Sequence, residues 1–210
     1  MFVVSLQVAQ PATLDTGRNV IQTGIRKKPV AEARFEATGV AGDNVVNTVH
    51  HGGVDQAVYV YSAEDYAWWQ DQLGRMLSPG LFGDNLVLST FGDGPVRVGD
   101  RYTIGDVKLE VTSPRIPCGT FSAVMEIDDW LVRFRDARRP GFYARVLAEG
   151  MITTGDSVTR GAASAASVEI LELQDIYYDK NVDADRLARA AESPVAERTR
   201  ADLVKRLARI

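Results

Sequence analysis

Arg101-Tyr102-Thr103-Ile104-Gly105-Asp106-Val107-Lys108-Leu109-Glu110-Val111-Thr112 runs on into Ser113-Pro114-Arg115-Ile116-Pro117-Cys118, and its reading decides the fold. Two β-rich runs, 101–104 and 108–112, flank Gly105-Asp106, so the first part reads as a tight hairpin. Pro114 and Pro117 have no place in a central strand, because the ladder needs an N–H that proline lacks. The second strand must therefore stop there, leaving Cys118, the one cysteine of the chain, in a stiff loop at a strand end.

Working outward, the same texture covers residues 1–160. Short β-rich runs at 3–9, 33–37, 57–61, 86–89 and 145–147 are separated by Gly/Asp turns. This spacing predicts a mainly β unit with inserted helices, a closed or nearly closed β-barrel. Ser62-Ala63-Glu64-Asp65 resembles a capping box and predicts a helix over 66–76. A second helix is expected over 126–138, with Ile127, Trp130, Leu131 and Phe134 on one face.

Composition breaks near residue 161. Residues 161–167 are small and featureless, as a linker is, and no glycine, histidine, tryptophan or cysteine lies after residue 167. Loss of glycine with Ala/Leu/Arg enrichment favours helix. Residues 168–210 are expected to form a strand or extended entry at 168–173 and then about three short helices. Asp183 would cap one helix and Ser193-Pro194 would open the next. Leu203, Val204, Leu207 and Ile210 supply an apolar stripe. The expected organisation is a barrel domain at 1–160, a linker at 161–167 and a small helical domain at 168–210.

With 210 residues, 45% hydrophobic and 25% charged, the chain has ordinary globular composition. A net charge of −4 argues against general nucleic-acid binding. No apolar run of membrane-spanning length occurs, and the first cation is Arg18, so neither a membrane nor a secretion signal is expected. A cytoplasmic, reducing environment is the expectation. One cysteine excludes an internal disulfide, and two histidines with it do not close a structural zinc site. GxGxxG, Walker A, GxSxG and HExxH strings are absent.

Each candidate constellation has two readings. Gly24-Ile25-Arg26-Lys27-Lys28-Pro29 is either an anion site or a solvated edge strand, with Arg26 and Lys28 on one face and Lys27 on the other. His50-His51-Gly52-Gly53 places both histidines before two glycines that let backbone amides approach a ligand; Asp55 would orient one imidazole. The same loop also reads as a plain glycine turn. Cys118, with Arg115 three residues away, is a thiolate nucleophile or soft-metal ligand, or a small buried hydrophobe. Asp84 and Asn85 bind a ligand or make an Asx turn. Phe142, Tyr143 and Arg145 form either an aromatic wall with one guanidinium or inward-packed strand residues.

In this order the strings resemble the MOSC domain, the module named for the C-terminus of molybdenum-cofactor sulfurases. They are residues 24–29, Gly42-Asp43, His51-Gly52-Gly53 with Asp55 and Ala57-Val58, Phe82-Gly83-Asp84-Asn85-Leu86, Val98-Gly99-Asp100, Pro114-Arg115 with Pro117-Cys118, and Gly141-Phe142-Tyr143 with Arg145. The likeness is to stand-alone bacterial members with a three-helix C-terminal domain. It implies a MOSC-type β-barrel that binds the molybdenum cofactor, a pterin dithiolene carrying a phosphate, with Cys118 as the metal ligand. Arg26, Lys27 and Lys28 would meet the phosphate; His51, Gly52, Gly53, Asp84, Asn85, Arg115 and Arg145 would line the pocket.

The activity expected from this resemblance is reduction of small N-hydroxylated compounds, with electrons from an external electron-transfer protein. Asp84 or His51 would deliver the proton. A sulfur or cofactor carrier using a Cys118 persulfide and a non-catalytic cofactor-binding module are the alternatives. A Cys118–His51 hydrolase lacks a recognisable oxyanion hole. A homodimer is compatible with this reading.

Overall fold

The computed structural model describes residues 1–46 and 52–210. Among these, the first half contains β1 (Val3–Val8), β2 (Ala12–Asp15), β3 (Val20–Thr23), β4 (Lys28–Val30), β5 (Glu32–Glu36), β6 (Gly39–Val40), β7 (Val58–Ser62), α1 (Ala63–Leu73) and β8 (Leu86–Leu88). The second half continues with β9 (Arg101–Ile104), β10 (Val107–Ser113), α2 (Gly119–Met125), α3 (Trp130–Asp136), β11 (Phe142–Ala148), β12 (Gly150–Thr153) and β13 (Val158–Gly161). Helices α4 (Ile170–Tyr178), α5 (Ala184–Glu192) and α6 (Glu197–Leu207) end it.

The hairpin forms where the sequence places it. Ile104 pairs with Val107 across a two-residue turn, and Gly105 takes the positive φ (+55°) that such turns require. β10 ends at Ser113, one residue before Pro114. From this hairpin an eight-stranded sheet grows in the order β13-β9-β10-β11-β7-β8-β1-β4, antiparallel except at β7/β8. The expected closed barrel is not formed by this pairing, because β13 and β4 remain as edges. The two ends approach each other at a Phe2–Ser157 bridge with flanking backbone bonds, at a bond from the Thr154 N–H to the Ala31 carbonyl, and through the pairing of β12 with β5. The fold is mixed α/β, with one large sheet, a three-stranded sheet β12-β5-β6 and the β2-β3 hairpin.

Period-two alternation divides two cores across this sheet. Val58 and Val60 of β7, Leu86 and Leu88 of β8, and Phe142, Ala144 and Val146 of β11 enter one apolar cluster. Tyr59, Tyr61 and Val87, one residue out of phase, enter the other. The second cluster is aromatic, with Phe82 near its centre. The Phe82 ring lies 5.0 Å from Tyr66, 5.2 Å from Tyr61 and 5.3 Å from Phe121, centroid to centroid. Asp84 lies beneath it, fully buried, accepting from the Tyr66 hydroxyl at 2.5 Å and the Gly80 N–H at 3.0 Å. Burial pushes the Asp84 carboxyl above the usual carboxylate range, against those bonds and the field of Lys27.

Ser62 caps α1 as expected, its Oγ accepting from the Asp65 N–H at 3.0 Å. The helix predicted over 126–138 is shorter, α3 starting after Asp129 at φ +56°, and the unpredicted α2 ends just before it with Glu126 left-handed at φ +55°. Trp130 and Phe134 are buried as foreseen, whereas Leu131 is exposed. In the tail, the extended entry is confined to Val168 and Glu169, where backbone bonds reach Val98 and an Arg97–Glu169 bridge forms. Ile170, Leu173 and Ile176 then recur every three residues and bury one face of α4, so helix overrides the short alternating pattern.

Asp183 caps α5, its Oδ1 accepting from the Arg186 N–H. Ser193 ends α5 rather than opening α6, which begins at Glu197. Leu203 is buried, but Val204 and Ile210 face solvent, so the stripe is narrower than expected. The helices share the sheet's first apolar cluster through Leu173, Ile176, Leu187 and Leu203.

Two outcomes test this packing. Phe82→Ala should lower unfolding free energy by about 3–5 kcal/mol in urea, the cost of an aromatic-sized void; a loss under about 1 kcal/mol would contradict the central position of this ring. A group whose folded pKa is raised contributes stability below its unfolded value, and this is lost as pH rises through the folded one. The advantage of wild type over Asp84→Asn should therefore be greatest near pH 4, about 1–3 kcal/mol, and shrink towards neutrality; an advantage that grows with pH would refute the assignment.

Candidate functional site

The segment 114–118 leaves β10 and carries Arg115 inward. Its side chain is 5% exposed, and its guanidinium carbon lies 4.8 Å from the Tyr59 ring centroid and 4.7 Å from that of Phe121. Nη1 donates to the Tyr143 hydroxyl at 3.0 Å, while Nε is buried with no hydrogen-bond partner among the described residues. An isolated buried cation is costly, and here ring faces and a phenol oxygen offset the loss of water. Desolvation works against the charge, but Tyr143, Tyr59, the Cys118 thiol and Asp84 together hold the guanidinium above its ordinary pKa.

Lys27 approaches the same space. Its Nζ is ion-paired with Asp43, both side chains being 6% exposed. Asp43 is fixed in turn, its Oδ1 accepting from the Ala9 N–H at 2.8 Å and its Oδ2 from Asn85 Nδ2 at 2.8 Å. Burial pushes the Lys27 ammonium below the usual lysine range, although Asp43 and Asp84 pull the other way. Asn85 is pinned further by the Tyr59 N–H on its Oδ1 at 3.2 Å. The wall is tight at Gly24, where a Cβ would stand 2.0 Å from the Asn44 carbonyl oxygen.

These residues enclose a cavity of about 320 Å³, lined by Lys27, Gly52, Asn85, Arg115, Cys118 and Tyr143 among others. Cys118, half-buried at the start of α2, packs against the edge of the aromatic cluster. It also lines a second cavity of about 580 Å³ on the side of α4 and α6. The thiol therefore stands where the two spaces meet.

Of the sequence-predicted site residues, the structure brings together Lys27, Gly52, Asn85, Arg115 and Cys118. Others lie elsewhere. Arg26 is exposed and faces Glu126 at 3.6 Å, and Lys28 is exposed on the edge strand β4. Lys27 is turned inward, on the other side from Arg26 and Lys28 as expected, although Arg26 and Lys27 lie in the loop before β4 rather than in a strand. Gly53 is exposed outside the lining, and Asp84 is spent on Tyr66 and Gly80 beneath the aromatic cluster.

Arg145 shares a strand face with Tyr143 but sits two residues further along β11. There it bonds Asp55 at 2.9 Å, Glu110 at 3.2 Å and the carbonyls of Pro194 and Val195. Asp55 bonds Arg145 and accepts from the Glu197 N–H. His50 and His51 lie outside the described residues.

Sequence reasoning did not single out Gln56 as a pocket group or Asp43 as the partner of Lys27, and it read Tyr143 either as an aromatic wall or as an inward-packed strand residue. Tyr143 carried a signal, since it alternates with the core residues Phe142 and Ala144 and so must face the other way. Among the described residues no cluster of three or more His, Cys, Asp or Glu side chains gathers, and no helix is long and apolar enough to cross a membrane.

The family model for the MOSC domain matches residues 47–159. YflK of Bacillus subtilis is 32% identical over 213 residues, covering 99% of this chain and 95% of that protein. A protein named a reductase from Gibberella moniliformis is 32% identical over 165 residues, which cover 77% of this chain but 29% of that longer one. The crystal structure of YiiM from Geobacillus stearothermophilus superposes with a TM-score of 0.79 at 27% identity, covering 97% of each chain. The chain belongs to the MOSC domain family.

Proposed function

We propose that the smaller cavity holds a molybdenum–pterin cofactor and that the protein reduces N-hydroxylated compounds beside it. The observation that carries the reading is one cavity wall presenting a thiol, Cys118, together with two buried cations, Arg115 and Lys27. The donor set fits such a group. A thiolate is a soft ligand suited to this metal, and the guanidinium of Arg115 on the cavity lining suits the charge of a phosphate. The volume, about 320 Å³, lies within the range of small-molecule sites. The reductase name of the fungal relative favours redox chemistry over storage.

The residues divide the work unequally. Lys27 is already balanced by Asp43, so Arg115 is the principal holder of negative charge, and Arg26 and Lys28 act only through the field outside. Asn85 and Asp43 keep Lys27 in place. The Tyr143 hydroxyl, fixed by Arg115, holds a proton on the wall next to Cys118. His51 remains a second proposed proton source, while the buried bonds of Asp84 remove it from that role. Overall, an N–O bond is cleaved with two electrons and two protons to give amine and water. When bound, the cofactor supplies the redox capacity for this exchange, and an external electron-transfer protein renews the electrons.

Cys118→Ala, produced in a host that makes the cofactor, should lose reduction of 6-N-hydroxylaminopurine by at least about a hundredfold while melting as the wild type does. Unchanged turnover would overturn the proposal. A persulfide on wild-type Cys118 in protein lacking molybdenum would instead favour a sulfur carrier.

A further inference from the structure

One wall of the smaller cavity stands apart from the main sheet. Among the described residues β2 and β3 pair only with each other, Leu14 opposite Ile21 and Ala12 opposite Thr23. Ile21, Gln22 and Thr23 line the cavity. No residue of this hairpin belongs to either apolar cluster, and within its strands only Leu14 is buried. Among the described residues the hydrogen bonds of residues 12–22 also stay inside the hairpin. The Gln22 side chain donates to Thr13 Oγ1 at 2.9 Å, and the tip is closed by bonds between Thr16 and Asn19, with Gly17 at φ +75°. The hairpin is a self-contained unit laid on the cavity rather than built into a core. A two-stranded hairpin alone in water is marginally stable at best, so its closed position depends on what lies beneath it.

Both legs are held at one place. On the entering leg, the Ala9 N–H donates to Asp43 Oδ1 at 2.8 Å, the Ala9 carbonyl accepts from the Asn44 N–H at 3.0 Å, and Gln10 Nε2 donates to the Gly42 carbonyl at 3.0 Å. On the leaving leg, Gly24 lies so close to Asn44 that a Cβ would run into its carbonyl oxygen. Residues 42–44 form a common pivot, and Asp43 within it also holds Lys27.

We propose that the β2–β3 hairpin is a flap, pivoting at residues 42–44, that opens to admit the ligand of the smaller cavity and closes over it. Ile21 and Thr23 pack on the ligand in the closed position, so a ligand that binds there holds the flap shut. That the ligand is the cofactor rests on the reading above; the pivot rests on the hairpin's own contacts.

The test is amide hydrogen exchange, read by mass spectrometry on the full chain from a host that makes the cofactor and from one that does not. Without molybdenum, amides of residues 12–23 should exchange at least about a hundredfold faster than those of β7 and β10. Urea below the unfolding transition should speed β7 and β10 and leave 12–23 unchanged, because a flap opens without unfolding the sheet. With molybdenum bound, 12–23 should slow by at least about tenfold. Hairpin exchange as slow as that of β10, or as sensitive to urea, or equal with and without bound molybdenum, overturns the inference. Protein that takes up no molybdenum removes the cofactor reading instead, and the flap is then decided by the exchange of the unloaded chain.

Discussion

A guanidinium held out of water between two aromatic rings organises this molecule. Arg115 cannot stay charged in the interior unless Tyr59, Phe121 and the Tyr143 hydroxyl surround it. Each comes from a different element, β7, α2 and β11, so the requirement joins the sheet centre to the cysteine loop and the short helix after it. The same contacts place Cys118 at the boundary of two cavities. One side is walled largely by loops from the N-terminal half and carries Lys27 and Arg115; the other is walled by the C-terminal helices and carries Arg198, Asp202 and Arg206 beside Ile176 and Leu203.

Buried charges elsewhere have several local partners each. Asp100 is fully buried yet accepts from Arg160 and from two backbone N–H groups. Arg145 is surrounded by two carboxylates and two carbonyls. Asp100 is saturated by the protein itself, whereas the Nε of Arg145, like that of Arg115, is buried with no hydrogen-bond partner among the described residues.

Much of this was legible in the sequence, for reasons that can be named. Gly105-Asp106 and the prolines at 114 and 117 fixed a turn and a strand end through backbone chemistry alone, and both stand. Asp183 and Ser62 capped helices for equally local reasons. Alternation separated Lys27 from Arg26 and Lys28 but left open which of them turns inward. Where tertiary contacts decide, the reading failed. The low helix propensity of Gly119-Thr120-Phe121-Ser122 hid α2, which is held by burial of Phe121. Alternation at 168–173 mimicked a strand because the three-residue spacing of Ile170, Leu173 and Ile176 emerges only over a longer window. Closure of the sheet is a global property, and strand count does not reveal it. Arg145 and Asp84 looked available because their partners, Glu110 and Tyr66, lie 35 and 18 residues away in the chain.

The claim on which the account stands is that the sulfur of Cys118 faces the bound metal. X-ray absorption at the molybdenum edge, on wild-type protein and Cys118→Ser loaded with cofactor in the same host, measures this directly. One fewer sulfur neighbour per metal in the variant is the predicted result. Identical sulfur shells in the two proteins would contradict it.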